Sequence, residues 1–233
     1  MWSGPRNVST ALMYSFARRD DTRVIDEPLY GHYLRVSDAV HPGAEEVMAA
    51  MDTDGERVIR SVILGPCDRP VLFMKQMAHH LIDISVGFLA QTVNVLLIRD
   101  PEQMLPSLAQ TLDSPTLRDT GLALQTELYG YLRKIGQEPP ILDAKRLLSD
   151  PPSVLSQLCA RIGIAFQESM LSWPAGPIPE DGVWAKHWYD SVHTTTGFLP
   201  YREKTAPFPA ELRPLLDECR PHYELLSSRA IRA

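Results

Sequence analysis

The stretch SGPRNVSTALMYSFA, residues 3–17, joins a loop of small and hydroxylated residues to a segment with helical periodicity. The first N–H groups of a helix have no partners within the helix and carry partial positive charge, so such a loop suits a phosphate group. A simple turn, with Asn7, Ser9 or Thr10 capping the helix, explains the same residues. Features elsewhere in the sequence are needed to distinguish a phosphate site from a simple turn.

Short apolar runs rich in β-branched residues predict buried strands at residues 22–27, 69–75, 92–100 and 139–144. Segments with helical periodicity occupy residues 10–19, 30–51, 102–112, 116–136 and 150–164. Strands that alternate with helices predict an α/β fold, a three-layer arrangement with a mainly parallel central sheet. Only Met1 and Trp2 precede the loop, so either the first strand is very short or the true start lies upstream of Met1.

Residues 172–209 are rich in proline, glycine and aromatic residues. A long segment of this kind in a compact domain is either functional or disordered, and disordered segments seldom carry so many aromatics. We therefore predict a single domain over residues 1–233, with residues 172–209 as a lid or wrap and residues 210–233 as a C-terminal helix. For most of the aromatic residues, packing the lid against the sheet is the simpler role.

The composition of the chain argues against some classes of function. The chain has 233 residues and a net charge of −6, which argues against a general nucleic-acid binder. We expect no membrane association and a cytoplasmic location, because neither a long apolar run nor a signal-peptide pattern is visible. The three cysteines lack metal-ligand spacing, so no metal is expected. A homodimer is left open.

Three segments together resemble the P-loop sulfotransferase family: PRNVST (5–10), LLIRDPEQMLPS (96–107) and ILDAKRLLSDPPSVLSQLCARIGIAF (141–166). The resemblance covers roughly residues 2–190. Members of this family transfer a sulfuryl group from 3′-phosphoadenosine 5′-phosphosulfate (PAPS) to a hydroxyl or amine. The resemblance implies a P-loop type of fold, PAPS as co-substrate, 3′,5′-diphosphoadenosine as product and a small-molecule or glycoside acceptor.

The family's loop, P-[KR]-S-G-T-T, cradles the 5′-phosphosulfate end of PAPS, and residues 5–10 match it position by position. Arg6 falls on the basic position, whereas Val8 replaces the family's glycine. The resemblance thus implies that the nucleotide is bound by Ser3, Gly4, Pro5, Arg6, Asn7, Val8, Ser9 and Thr10.

The second motif binds the 3′-phosphate through an arginine and a serine eight residues apart, as Arg99 and Ser107 are here. Arg99 follows a predicted strand and Ser107 lies on the next helix, so both are expected at the crevice where open α/β sheets bind ligands. A guanidinium and a hydroxyl can then form charge-assisted hydrogen bonds to one phosphate.

The third family element is altered. GVWAKHW (182–188) resembles the family's G-x-W-x-x-H-F, which implies that Trp184 contacts the nucleotide. The R-K-G that precedes this element in many members is replaced by PAGPIPED. A second basic contact to the 3′-phosphate is therefore missing or comes from Lys186, Arg202 or Lys204.

Sulfuryl transfer needs a base for the acceptor's proton and a cation near the bridging oxygen. Lys75, at the end of a predicted strand, falls where the family often has its lysine. Family members use a glutamate or a histidine as base, and the candidates here are Glu27, His79 and His80. For the two histidines, a pair on the helix after the strand is the simpler explanation.

Two other functions stay open. An ATP- or GTP-dependent enzyme of the P-loop kinase type would need G-x-x-x-x-G-K-[ST], and the segment GPRNVST lacks the Gly-Lys pair. A non-catalytic nucleotide-binding module is favoured by Val8 and by the missing R-K-G.

Overall fold

The computed structural model describes residues 1–204 and 206–232. It has an α/β fold with a five-stranded central sheet whose strands pair in parallel, which confirms the predicted fold class. The chain divides into two compact units. The first contains Met1, Ser9–Thr92 and Gln167–Phe198, and the second contains Trp2–Val8, Val93–Phe166 and Leu199–Ala233. No helix in the described part of the chain is long and apolar enough to cross a bilayer.

The first unit contains strands β2 (Thr22–Asp26) and β3 (Val71–Met77). Its helices are α1 (Ser9–Ala17), α2 (Tyr30–Val36), α3 (Ala44–Ala50), α4 (Gly55–Val58), α10 (Ala185–Trp188) and α11 (Asp190–His193). A π-helical turn follows α4 at Ile59–Ile63, and 3₁₀ turns lie at Ala78–His80, Val86–Gln91 and Glu168–Leu171.

Helix α1 packs against β2 and β3, and this contact buries its apolar side chains away from water. Leu12, Met13 and Tyr14 are fully buried, and the Phe16 ring stacks on Phe73 of β3 with 4.0 Å between the ring centroids. This packing fixes the helix that follows the phosphate-loop sequence against the two strands of its own unit.

The second unit contains the short strands β1 (Trp2–Ser3), β4 (Leu96–Ile98) and β5 (Ile141–Asp143), with β4 paired to both of the others. Its helices are α5 (Pro101–Leu108), α6 (Leu117–Thr120), α7 (Leu122–Lys134), α8 (Ala144–Ser149), α9 (Pro151–Ile162) and α12 (Arg213–Ser227), and a 3₁₀ turn at Ala210–Leu212 precedes α12. A leucine-rich core that includes Leu105, Leu122 and Leu216 joins α5, α7 and α12.

An aspartate followed by a proline starts two of these helices. The Asp100 carboxylate accepts a hydrogen bond from the Glu102 backbone N–H at 2.8 Å, and Pro101 occupies the first helical position of α5. Asp150 and Pro151 begin α9 in the same way, with a 3.1 Å bond from the Ser153 N–H. Because an aspartate at the N-cap satisfies an otherwise unpaired N–H and a proline loses none, the sequence Asp-Pro sets both helix starts.

Several predicted boundaries differ from the structure. The helical stretch predicted at residues 30–51 is two helices, α2 and α3, because Pro42 disfavours helical backbone before it and Gly43 adopts φ +73°. Gly121, with φ +74°, likewise separates α6 from α7 within the predicted helix 116–136.

The strand predicted at residues 69–75 is β3, which runs on to Met77, so Lys75 lies inside the strand and not at its end. Strand β4 is much shorter than the predicted 92–100. Strand β1 has only two residues, as one of the two alternatives predicted.

Residues 172–198 of the predicted lid lie in the first unit and contain α10 and α11. The backbone of Trp173 donates a 3.1 Å hydrogen bond to Thr196 O, so the two ends of this segment meet. Whether residues 172–209 act as a lid stays a prediction. Thr205 of the predicted lid and Ala233 of the predicted C-terminal helix lie outside the described residues.

Two glycines bring the α6–α7 junction against the predicted phosphate loop. A Cβ added to Gly4 would lie 2.4 Å from the backbone oxygen of Thr120, and one added to Gly121 would lie 3.1 Å from the Cα of Gly4. Because backbone atoms cannot move aside as a flexible side chain can, only glycine fits at these two positions. The loop path therefore depends on this contact.

Gly121→Ala tests that dependence. We expect a loss of more than about 1 kcal/mol in the free energy of unfolding, because the added Cβ is strained at φ +74° and crowds Gly4. Gly130→Ala is the matched control: it lies within α7 with no atom within 4 Å of a new Cβ, so it should be neutral or stabilising. Urea unfolding of both variants measures the difference, and equal stability would contradict the argument.

Candidate active site

A buried lysine organises one group of polar side chains in the first unit. The Lys75 side chain is 2% exposed. Its ammonium donates hydrogen bonds to Asp26 Oδ1 at 2.9 Å, to Tyr189 OH at 2.6 Å, and to Glu27 Oε1. We call Asp26, Glu27, Lys75 and Tyr189 the lysine cluster.

The sheet and one unusual backbone angle bring both carboxylates to Lys75. Asp26 is the register partner of Lys75 in the parallel pair of β2 and β3. Successive side chains of a strand point to opposite faces, so Glu27 would point away from Lys75 if β2 continued. The chain instead leaves the strand at Glu27, whose φ is +39°. This strained angle directs the second carboxylate to the same ammonium.

The charges of the cluster stabilise one another. Burial alone would lower the pKa of Lys75, but Asp26 and Glu27 raise that pKa well above its ordinary value. Burial raises the pKa of Glu27, and the charge of Lys75 opposes this effect. Lys75 is therefore a permanent cation, and Glu27 is a carboxylate whose basicity depends on the distance of Lys75.

Tyr189 connects the cluster to the segment around α10. Its hydroxyl donates to Asp26 Oδ2 at 2.6 Å and accepts from Lys75. Trp184 Nε1 lies 3.2 Å from the same hydroxyl and donates to it. Trp184, which the sequence assigned to nucleotide binding, is 4% exposed and holds Tyr189.

The two candidate histidines lie on the 3₁₀ turn after β3. The His80 ring is stacked against Tyr30 with 5.2 Å between centroids, and its Nε2 lies 3.8 Å from Glu27 Oε2. Burial, with the neighbouring positive charges, holds the pKa of His80 well below its ordinary value, so the ring is neutral. His79 packs edge-on against Tyr33 at 4.9 Å. Of the two, His80 is the one next to the lysine cluster.

A second group of polar side chains lies in the second unit. Arg6 Nε donates a 2.9 Å hydrogen bond to Ser107 Oγ, and Arg99 donates a 2.6 Å bond to the backbone oxygen of Arg6. Arg6 has φ +52°, which a non-glycine residue seldom adopts and which strained functional loops often show. We call Arg6, Arg99, Ser107 and Lys204 the arginine cluster.

The cations of this cluster repel one another and have no ion-pair partner. Burial lowers the pKa of Arg99, Tyr201 and Asp100 partly oppose this effect, and the charge of Arg6 adds to it. Burial also lowers the pKa of Lys204, with further lowering by Arg99 and Arg6. Within the described ranges, no carboxylate lies within salt-bridge distance of Arg6, Arg99 or Lys204. Converging cations without anions are suited to an anionic ligand.

The other residues of the predicted loop are held by local bonds. Ser3 is buried and its hydroxyl donates to Gly4 O, while Asn7 Nδ2 donates to the backbone oxygen of Leu97 at 3.1 Å. Asn7 Oδ1 accepts the backbone N–H of Val8 at 2.8 Å. Pro5 lies between Gly4 and Arg6, and Ser9 and Thr10 begin α1.

The structure thus brings the predicted site residues together in two groups. Arg6, Arg99 and Ser107 meet in one, and Glu27, Lys75 and His80 meet in the other. Sequence reasoning missed Asp26 and Tyr189 as members of the lysine cluster. The signal for Asp26 was its place beside Glu27 at a strand end; no sequence signal distinguished Tyr189 from the other lid aromatics. No group of three or more metal-ligating side chains was found in residues 1–204 and 206–232.

Comparison with known proteins gives a family. A family model described as sulfotransferase domain matches residues 1–230. A solved structure described as the sulfotransferase domain from the curacin biosynthetic pathway aligns with 100% of this chain and 97% of its own, at a TM-score of 0.53 and 14% identity. At that identity the likeness supports the fold alone.

Two curated proteins of Arabidopsis thaliana are more similar in sequence. Branched-chain-amino-acid aminotransferase-like protein 2 is 39% identical over 226 residues, which is 97% of this chain and 40% of that protein. Branched-chain-amino-acid aminotransferase-like protein 1 is 40% identical over 228 residues, which is 97% of this chain and 41% of that protein. The chain spans about two fifths of the length of these relatives.

Lys75→Met should show how far the carboxylates depend on the lysine. Removing one partner of a buried ion pair costs about 3–5 kcal/mol at neutral pH. Without Lys75, the pKa of Glu27 in the folded protein rises further above its ordinary value. A carboxyl whose pKa is raised by folding favours the folded state at low pH and loses this contribution as pH rises through the raised pKa.

We therefore expect the stability difference between Lys75→Met and the wild type to shrink between pH 7.5 and pH 5. Urea unfolding of both proteins at each pH measures it. Adding Glu27→Gln to the variant should restore part of the stability at pH 7.5. A difference that does not change with pH would contradict the charge argument.

Proposed function

The chain belongs to the sulfotransferase domain family, and on that basis we propose that it transfers a sulfuryl group from PAPS to a hydroxyl or amine of a small molecule. The observation that carries the proposal is the arginine cluster, whose cations converge with no carboxylate of the described residues within salt-bridge distance. A nucleotide with phosphates at both the 3′ and 5′ positions supplies the missing negative charge.

In this proposal Arg99 and Ser107 hold the 3′-phosphate, as their spacing predicts. Arg6, whose Nε is already bonded to Ser107, keeps that hydroxyl in place. Lys204 supplies the second basic contact that the missing R-K-G would otherwise provide; burial lowers the pKa of Lys204, and the charges of Arg99 and Arg6 lower it further. Lys186, another candidate, is paired with Glu46. The loop backbone, close-packed at Gly4, is assigned to the 5′-phosphosulfate end.

The chemical step is assigned to the lysine cluster. The bond between sulfur and the 5′-phosphate oxygen breaks, a bond between sulfur and the acceptor oxygen or nitrogen forms, and the acceptor loses a proton. Glu27 takes that proton, because burial raises its pKa and favours proton binding. Lys75 stabilises the negative charge that develops on the phosphate oxygen. The neutral ring of His80 is the alternative base.

The plant relatives are named aminotransferase-like, and this chain covers about two fifths of each. An aminotransferase of the pyridoxal-phosphate type forms a Schiff base through a lysine amine, which must lose its proton to react. The carboxylates beside Lys75 raise its pKa well above the ordinary value and so oppose that loss. The environment of Lys75 favours a fixed cation over a nucleophile, in agreement with sulfuryl transfer.

Arg99→Ala tests the arginine cluster. Loss of hydrogen bonds to a charged phosphate should weaken binding of 3′,5′-diphosphoadenosine by about 1.5–3 kcal/mol, or roughly 10- to 150-fold. Adenosine 5′-phosphosulfate, which lacks the 3′-phosphate, should lose much less. Isothermal titration calorimetry measures both ligands, and Arg161→Ala on the exposed side of α9 is the control. Equal losses for both ligands would mean that Arg99 is structural, and tighter binding of ATP with magnesium would favour a kinase-type enzyme.

Glu27→Gln tests the base. The variant keeps the shape of the side chain but cannot accept a proton, so turnover should fall by roughly 10²–10⁴-fold while nucleotide affinity stays nearly unchanged. Activity should partly recover at high pH, where the acceptor deprotonates unaided. Lys75→Ala should not recover in this way, because it removes positive charge. Labelled PAPS with a panel of hydroxylated metabolites and glycosides provides the assay, and unchanged turnover in Glu27→Gln would transfer the role to His79 or His80.

A further inference from the structure

The lysine cluster cannot perform its proposed chemistry in the arrangement observed. A lysine ammonium has three N–H donors, and those of Lys75 are all engaged, by Asp26, Glu27 and Tyr189. None is left for an oxygen of the sulfuryl donor. Glu27 Oε1 is occupied by the same ammonium, which lowers its ability to take a proton. One of the three bonds has to open during turnover.

The pattern of bonds indicates which one opens. Lys75, Tyr189 and Asp26 form a closed ring: Lys75 donates to Asp26 Oδ1 and to Tyr189 OH, and Tyr189 OH donates to Asp26 Oδ2 at 2.6 Å. Trp184 Nε1 adds a further bond to the Tyr189 hydroxyl. Opening either bond to Asp26 leaves one of its buried carboxylate oxygens without its partner in the ring. The Tyr189 hydroxyl keeps its bonds to Asp26 and Trp184 whichever bond of the ammonium opens, and so holds its place beside the ammonium.

Glu27 is held less firmly than the ring. Its Oε1 is bonded to Lys75, and its Oε2 lies 3.8 Å from His80 Nε2, beyond hydrogen-bond distance. Its backbone is strained at φ +39°, so release from Lys75 can relieve the angle. The proposed chemistry requires the bond between Lys75 and Glu27 to open, because this frees a donor for the phosphate oxygen and a carboxylate for the acceptor's proton.

We propose that Tyr189 is a positioning residue for sulfuryl transfer: its hydroxyl, with Asp26, anchors the Lys75 ammonium when that ammonium exchanges Glu27 for the 5′-phosphate oxygen of the donor. The inference rests on the proposed function and extends it to a residue that the family resemblance did not assign. The exchange brings the Lys75 ammonium to the reacting oxygen. It also releases the Glu27 carboxylate, which can then take a proton. No covalent bond is made by Tyr189.

The exchange also changes the base. Lys75 opposes the effect of burial on the pKa of Glu27, so its departure raises that pKa and makes Glu27 a stronger base. Arrival of the donor nucleotide is thereby coupled to activation of the base. The charge of Lys75 stays compensated throughout, because Asp26 remains bonded to it.

Proton uptake tests the exchange without turnover. We expect the wild type to take up a fraction of a proton when 3′,5′-diphosphoadenosine binds at pH 7.5, because the pKa of Glu27 rises. Calorimetric titration in two buffers of different ionisation enthalpy measures this uptake. Glu27→Gln should bind the nucleotide without that fraction, and the difference isolates Glu27 from the phosphates. Equal uptake by the two proteins would overturn the exchange.

Tyr189→Phe tests the anchor, with Tyr14→Phe as the matched control. Tyr14 is also buried in the first unit and donates its hydroxyl to a carboxylate, Asp181 Oδ2, at 2.6 Å, but it is no part of the ring around Lys75. We expect Tyr189→Phe to lower kcat about 10- to 100-fold with the KM for PAPS changed much less, since a poorly placed catalytic group costs rate more than binding. Tyr14→Phe should lower the melting temperature and leave kcat per folded molecule unchanged.

The outcomes separate this inference from the proposed function. If the wild type transfers sulfuryl groups and Tyr189→Phe keeps full kcat per folded molecule, the role of Tyr189 is overturned and the proposed function stands. If the wild type does not bind 3′,5′-diphosphoadenosine, both are overturned. A fall in kcat that equals the loss of folded protein in thermal denaturation also counts against Tyr189 as a positioning residue.

Discussion

An ammonium group removed from water needs negative charge beside it, and this requirement determines the geometry of the first unit. Lys75 is 2% exposed, and an isolated buried charge of this kind would shift its pKa and become neutral. The register of β2 and β3 supplies Asp26 directly. The second carboxylate arrives only because the backbone turns to φ +39° at Glu27. The strain at Glu27 is thus offset by the charge that it places.

The arginine cluster differs from the lysine cluster because its cations have no carboxylate partners among the described residues. No carboxylate in the part of the chain that the structure describes lies within salt-bridge distance of Arg6, Arg99 or Lys204, and their mutual repulsion is tolerable because Arg6 and Arg99 are only partly buried and Lys204 is exposed. Such an arrangement lowers the stability of the protein without a ligand, and binding of an anion raises that stability again. The net charge of the chain is −6, yet Arg6, Arg99 and Lys204 form a local group of cations. In the proposed function the two kinds of cation have different roles. Lys75, which is paired with carboxylates, provides a fixed charge for the chemical step, and the unpaired cations of the arginine cluster recognise the ligand.

Sequence reasoning predicted what depends on local pattern. The apolar runs predicted the strands, and the eight-residue spacing of Arg99 and Ser107 is compatible with their contacts to Arg6. The features that it missed depend on contacts distant in sequence. Tyr189 lies 114 residues from Lys75, and nothing in its own neighbourhood distinguishes it from the other aromatics of residues 172–209. The sequence did not predict the backbone turn at Glu27 either. Neighbouring residues at a strand end are expected to point to opposite faces, so a lysine shared by Asp26 and Glu27 is not expected.

The observed lysine cluster is best understood as a resting arrangement. A base and a cation that neutralise each other are both inactive, because the carboxylate is a weaker base beside the ammonium and the ammonium has no donor to spare. Separation of the pair would activate both at once. Only a ligand that offers Lys75 an anionic oxygen as good as Glu27 can bring about that separation, since a neutral ligand would leave the buried charge less well compensated. A cluster built in this way therefore distinguishes a phosphate-bearing donor from water by the charge that it brings, before any bond to sulfur is broken.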